Sequence, residues 1–225
     1  MDDLALTGDA LRQNLDELEY INKWLGGYAP ITRGLALLCG EWPRDRVLRI
    51  ADVGCGGGDT LRVMAAWARR RGLSVELIGI DANAFMIEYA REKCASSPEI
   101  CFQQLDIFVE AFSQQSFDVV TCSLFCHHFA EETLAALLRQ LAGQARRGVI
   151  VNDLHRHPLA YYSIRWLTRL LGGSYLVQHD APLSVARAFQ RADIVALCAR
   201  AGVAVRRLRW HWAFRWELVV TTRVI

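Results

Sequence analysis

The sequence predicts an α/β fold, a mostly parallel sheet with helices on both faces and an antiparallel hairpin at its C-terminal end. Three observations carry that reading. Short apolar runs alternate with longer amphipathic ones from residue 49 onward, a glycine-rich turn follows the first of these runs, and the last two β-rich runs lie close enough to pair. With 225 residues the chain can bury a core without disulfide or metal staples.

Two helices are expected first, over residues 9–25, ended by Gly26 and Gly27, and from Pro30 to about Cys39. Residues 49–53 (RIADV) read as a buried strand. Residues 59–71 read as a helix that ends in three arginines and Gly72, placing positive charge at the negative end of its dipole and a glycine at its stop. A second strand at 75–81, a helix at 84–95 and strands at 100–106 and 117–123 follow, then a helix at 131–142 and a fifth strand at 148–153. Such alternation implies right-handed crossovers between parallel strands.

Residues 155–183 interrupt the pattern with an apolar, aromatic-rich helix at 159–171, stopped by Gly172 and Gly173. A helix at 184–201 ends at Gly202, and runs at 205–210 and 216–224 form the hairpin. No repeat, low-complexity tract or linker divides the chain. The expected organisation is a single domain over 1–225, with a helical cap at 1–40, a core at 41–154 and 184–225, and an insertion or lid at 155–183.

Apolar residues make up 52% and charged residues 22%, with five prolines, which excludes disorder, collagen and coiled coil. The net charge of +2 conceals a split: residues 1–112 carry 12 basic and 17 acidic side chains, net −5, and residues 113–225 carry 14 and 7, net +7. The basic side chains of the second half are spread over many segments, so a solvated surface is favoured over a nucleic-acid interface. The seven cysteines form no C-x-x-C pair, the N-terminus is acidic rather than a secretory signal, and no apolar run approaches the ~18 residues of a membrane span. These features make a cytoplasmic location the expectation.

The segment Asp52-Val53-Gly54-Cys55-Gly56-Gly57-Gly58-Asp59 follows the first strand and opens the first core helix. Its glycines permit a tight turn and close approach of a ligand to the helix N-terminus. A dinucleotide fingerprint would need Gly or Ala where Asp59 stands, and a phosphate-binding Walker loop would need a lysine that is not there. The carboxylate at Asp59 suits a cationic or zwitterionic ligand.

These residues resemble the class I S-adenosylmethionine (SAM)-dependent methyltransferases, whose fold is a Rossmann-like seven-stranded mostly parallel sheet. The acidic residue and G-x-G-x-G of the family match Asp52, Gly54, Cys55, Gly56 and Gly58. The resemblance implies that this loop wraps the methionine part of SAM, that Asp81, followed by Ala82, binds the ribose hydroxyls, that Asp106, with Ile107, faces the adenine, and that Ser123 ends the fourth strand beside the cofactor. Arg33 is a candidate for the methionine carboxylate. Residues 21–27 and 123–129 look most like small-molecule enzymes of the quinone and natural-product type.

Methyl transfer is an in-line displacement that requires alignment, exclusion of water and, for a hydroxyl acceptor, a base near neutral pKa. His179, His128 and His127 are the candidate bases, and Tyr161, Tyr162 and Arg156 the candidate substrate contacts; mixed-charge surface, structural hydrogen bonding or helix packing against a second subunit of a homodimer are the competing readings. No metal site is expected, because Cys122, Cys126 and the adjacent histidines lack zinc-ligand spacing. The predicted reaction is methylation of a small-molecule acceptor at a hydroxyl, phenol or carboxylate oxygen, with ring-carbon methylation, and then an RNA or protein substrate, as alternatives. The absence of an N/D-P-P-Y/F motif after the fourth strand argues against amino-nitrogen acceptors.

Overall fold

The computed structural model describes residues 8–170 and 172–222. A seven-stranded sheet of order β3-β2-β1-β4-β5-β7-β6 forms the middle layer. Its strands are β1 (Leu48–Val53), β2 (Val75–Asp81), β3 (Ile100–Gln104), β4 (Phe117–Ser123), β5 (Ala145–Leu154), β6 (Val203–His211) and β7 (Arg215–Thr222). The first five are parallel to one another, and β7 runs antiparallel to both β5 and β6. The order reverses between β1 and β4, and in open α/β sheets that reversal opens a crevice at the carboxyl ends of the strands.

One face of the sheet is covered by α2 (Ala29–Cys39), α3 (Asp59–Arg71) and α4 (Ala84–Lys93), through Ile31, Leu35, Leu61, Met64 and Ile87. The other carries the short α5 (Glu110–Ser113), α6 (Glu131–Gln144) and α9 (Arg191–Ala201), through Phe112, Leu134, Leu138, Ile194 and Cys198. Two same-side crossovers, β1 to β2 and β2 to β3, put α3 and α4 together, and the return to β4 reverses the side, as right-handed connections demand.

Three helices stand over the strand ends: α1 (Asp9–Trp24), α7 (Pro158–Leu170) and α8 (Tyr175–Arg187). Ion pairs Arg12–Glu92 (2.7 Å) and Lys93–Asp16 (2.6 Å) fasten α1 to α4, and Leu15 covers Gly56 and Gly57. Glu17 accepts hydrogen bonds from the backbone N–H and the hydroxyl of Ser174, so α1 also holds the start of α8.

The expected helix at 184–201 is two helices. Residues 188–190 are extended: Phe189 forms a bridge with His155, and its carbonyl accepts from Arg156 N–H at 2.9 Å. Asp193 then accepts from the backbone N–H of Gln190 at 2.7 Å and starts a new helix. The break was hidden because the apolar residues on either side keep helical spacing. Gly172 does take a left-handed φ of 65° at the end of α7. Leu171, residues 223–225 and residues 1–7, included in the expected domain, lie outside the described residues.

Candidate active site

Two clusters lie at the carboxyl edge of the sheet, one around the glycine loop and one around a cavity. In the first, Gly54, Gly56 and Gly58 all take left-handed φ, at 70°, 49° and 73°. A side chain at Gly54 would also run into the Phe125 ring, so glycine is required there twice over. Asp81 accepts from the backbone N–H of Gly56 at 3.1 Å and of Asn83 at 3.0 Å, which orients its carboxylate toward the loop. Burial raises its pKa against these bonds.

Asp106 lies in the exposed turn after β3 and accepts from Phe108 N–H at 2.9 Å, while Ile107 is buried in the core. Ala82 follows Asp81 at the half-buried strand end. Cys55 is buried, and burial next to Asp81 and Asp52 holds its thiol protonated. Ser123 Oγ accepts from Asn152 Nδ2 at 2.8 Å. Asp52 is 2% exposed and turned into the sheet, where the Thr121 hydroxyl donates to it at 2.6 Å. Arg33 is placed away from this loop, on α2, with Nη1 3.3 Å from His211 Nδ1. Asp59 accepts from the Tyr28 hydroxyl at 2.8 Å.

The donor set fits SAM. A carboxylate offers about four lone pairs, so Asp81 keeps acceptor capacity for vicinal hydroxyls beyond its backbone bonds. Buried Asn14, on the helix that covers the loop, has both amide atoms without a partner.

The second cluster surrounds a cavity of about 410 Å³. Its walls are mostly apolar: Leu18 and Ile21 from α1 and Leu25 just after it, Ala160, Ile164 and Leu167 from α7, and Trp210, Trp212 and Phe214 from the β6–β7 hairpin. His127 and His128, from the short helical turn Cys126–His128 after β4, both line it. Asp153, next to last in β5, fixes His127: Nδ1 lies 2.7 Å from Oδ1, and the backbone N–H of His127 donates to Oδ2 at 3.2 Å. Burial alone would raise the Asp153 pKa, but the His127 charge and hydrogen bond, with the N–H groups of Leu154 and His127, outweigh it and hold the carboxyl below its ordinary range. The imidazole is therefore oriented by a carboxylate on Nδ1, while Nε2 is buried without a partner.

Backbone strain gathers at the same place. Among the described residues Leu124, Ala213 and Phe214 are the non-glycine residues with positive φ, at 54°, 62° and 56°, and all three line the cavity. Such conformations cost of order 1–3 kcal/mol each and persist where surrounding packing enforces them, often at functional sites.

Other candidates from the sequence do not join this cluster. His179 is exposed on α8, 3.2 Å from Asp180 and stacked beside Tyr175; the neighbouring Asp180 and Ala181 face the cavity instead. Tyr161 and Tyr162 lie off the cavity face of α7, which presents Ala160, Ser163, Ile164 and Leu167 at helical spacing, and Tyr162 is 57% exposed. Arg156 is a structural tie, bonded to Asp193 at 2.8 Å and to the Ala188 carbonyl at 3.1 Å. Asp153 and Arg215 were missed as site residues. Asp153 could have been found by the rule that singled out Asp81, an acid at a strand's carboxyl end; Arg215 carried no such signal.

Among the described residues no group of three His, Cys, Asp or Glu could hold a metal ion, and no helix is long and apolar enough to cross a membrane.

Residues 50–148 match the family model described as methyltransferase domain. The ubiquinone biosynthesis O-methyltransferase of Alkalilimnicola ehrlichii is 32% identical over 65% of this chain and 60% of its own length. That of Aeromonas salmonicida is 33% identical over 58% and 51%. The chain thus spans between half and two thirds of the length of these relatives. Among solved structures, the fold is shared with magnesium protoporphyrin IX methyltransferase from Synechocystis with bound SAH (TM-score 0.57, 20% identity, covering 88% of this chain and 83% of that one). It is shared too with a SAM-dependent methyltransferase from Aquifex aeolicus (TM-score 0.63, 15% identity, 95% and 98%). Sequence motif, sheet order and these matches together support a class I SAM-dependent methyltransferase.

Proposed function

We propose that the protein is a SAM-dependent methyltransferase that methylates a hydroxyl or phenol oxygen of a small apolar acceptor, with His127 as general base. The observation that carries this reading is the buried pair of His127 and Asp153, whose free Nε2 belongs to a residue on the cavity wall. SAM, when bound, supplies an electrophilic methyl group. The glycine loop and Asp81 would hold it, with Asp106 at the far end of the cleft. On transfer the acceptor oxygen would bond to the methyl carbon while the methyl–sulfur bond breaks and S-adenosylhomocysteine leaves; the acceptor's proton would pass to Nε2 of His127, and Asp153 would stabilise the resulting imidazolium. The apolar walls exclude water and hold the acceptor in line. Helices α7 and α8 act as the lid over this chamber.

The relatives named for ubiquinone O-methylation support an oxygen acceptor, and a base oriented by a carboxylate is what a neutral hydroxyl needs. Replacement His127→Ala should leave binding of S-adenosylhomocysteine unchanged by calorimetry. Transfer of labelled methyl to a phenol should fall about 10²–10⁴-fold at pH 7, and the deficit should shrink toward the phenol's own pKa near 10. A deficit independent of pH would remove the base assignment, and methyl found on ring carbon would remove the oxygen assignment.

A further inference from the structure

Arg215 is the first residue of β7, paired with Leu154 of β5 and His211 of β6, so its side chain is rooted in the sheet beneath the cavity that it lines. The residue is 3% exposed. Its Nη2 donates to Asn22 Oδ1 at 2.7 Å, while Nε and Nη1 are buried without any partner. No ion pair joins Arg215 to an acid among the described residues. Asp153, Tyr28 and Asp59 favour its charge only through space, and burial pushes its pKa down to about 10, which still leaves a cation at neutral pH.

Burying a guanidinium without a counter-anion is costly, and a well-packed apolar residue would ordinarily be more stable in its place. Nη2 carries a second N–H beside the one given to Asn22, and with Nε or with Nη1 it forms a two-donor edge that matches a planar carboxylate, the partner that arginine binds through parallel hydrogen bonds. Two carboxylates could come within reach, that of an acceptor and that of the cofactor's amino-acid end. The cavity favours the acceptor: its walls include Arg215, His127 and the hairpin residues Trp210, Trp212 and Phe214, and none of residues 54–58.

Resting on the methyltransferase reading, we propose that Arg215 is the specificity-determining residue of the acceptor chamber, and that the acceptor is an apolar or aromatic hydroxy acid. The carboxylate takes one two-donor edge of the guanidinium, Nη2 with Nε or with Nη1, the body fills the apolar walls, and the hydroxyl meets His127. Asn22 holds the guanidinium fork in place through Nη2. Neutral compounds of the same shape leave the buried charge unmatched and bind less well.

The test uses the full chain, a series of hydroxyaryl carboxylic acids and the matching primary carboxamides, with calorimetry in the presence of saturating S-adenosylhomocysteine. The wild type should bind the best acid at least tenfold more tightly than its carboxamide. Arg215→Met should abolish that preference, keep S-adenosylhomocysteine affinity within twofold and melt no lower than wild type, because a buried unpaired charge has been removed. Asn22→Asp should also weaken the acids, by giving the guanidinium an internal carboxylate, and this covers the case in which the methionine variant fails to fold. Equal binding of acids and carboxamides by the wild type overturns the proposal, as does an Arg215→Met variant whose main loss is S-adenosylhomocysteine affinity, which would assign the guanidinium to the cofactor. A wild-type chain that binds no S-adenosylhomocysteine breaks the methyltransferase reading instead, so the two failures are distinct.

Discussion

Asp52 and Asp153 occupy matching places, each next to last in its strand and each buried, yet their surroundings treat the two carboxyls in opposite ways. Asp153 accepts from the His127 ring and from two backbone N–H groups, and remains ionised. Asp52 is desolvated with only the Thr121 hydroxyl to stabilise its charge, against the like charges of Asp59 and Asp81, and its pKa rises to about 7. Burial is the same in both, so hydrogen bonds and neighbouring charge decide the outcome. The β5 side is arranged to hold charge, as the proposed proton transfer needs; the β1 side disfavours the ionised carboxyl beneath the glycine loop.

The largest effect should come from removing the charge on the β5 side. Asp153→Asn preserves shape but withdraws the anion from His127 and allows the wrong ring nitrogen to carry the proton. Turnover at pH 7 should fall by about 10²–10⁴, with S-adenosylhomocysteine binding intact. Turnover within a fewfold of wild type would show that His127 does not work through Asp153.

On the β1 side the consequence is one of stability and its pH dependence. A carboxyl whose pKa is raised in the folded state contributes stability that is fully present below the unfolded value near 4 and is lost as pH rises through about 7. At about 1.4 kcal/mol per pKa unit the loss is on the order of 4 kcal/mol. Asp52→Asn should flatten that dependence, so denaturant unfolding of variant and wild type should diverge in the variant's favour between pH 4 and 7.5. Parallel curves would mean that Asp52 is ionised throughout the range.

Asp81 lies between these cases, with backbone donors but also with capacity left for a ligand. Asp81→Asn should weaken S-adenosylhomocysteine binding about tenfold or more, the scale of losing charged hydrogen bonds. Unchanged affinity would detach the ribose role from this residue.

The two sides also differed in how far the sequence disclosed them. The glycine loop and Asp81 are local: a strand, a turn and a helix carry their own spacing, so the resemblance and the structure place them together. His127 was named as one of three candidate bases, but its choice over exposed His179 depends on Asp153, 26 residues away, and on which face of α7 turns inward. Arg215 joins Asn22 across 193 residues, a pairing that no periodicity encodes. The split of the expected 184–201 helix likewise arises from Phe189 docking on the end of β5, a tertiary contact that outweighs helical spacing.

The smallest expected effect concerns the strained hairpin that walls the cavity. Ala213 and Phe214 take successive left-handed conformations, which cost an alanine roughly 1 kcal/mol or more relative to glycine. Glycine's greater freedom in the unfolded chain returns about 0.4–1 kcal/mol of that difference, so Ala213→Gly should stabilise by no more than about 1 kcal/mol. The informative reading is kinetic. Removing the methyl group and freeing the turn loosens the wall formed by Trp212 and Phe214, so the acceptor KM should rise while kcat holds, because His127 and Asp153 are anchored on the turn after β4 and on β5 rather than on the hairpin. A variant that loses kcat at constant KM would place the hairpin in the chemical step instead of in acceptor binding.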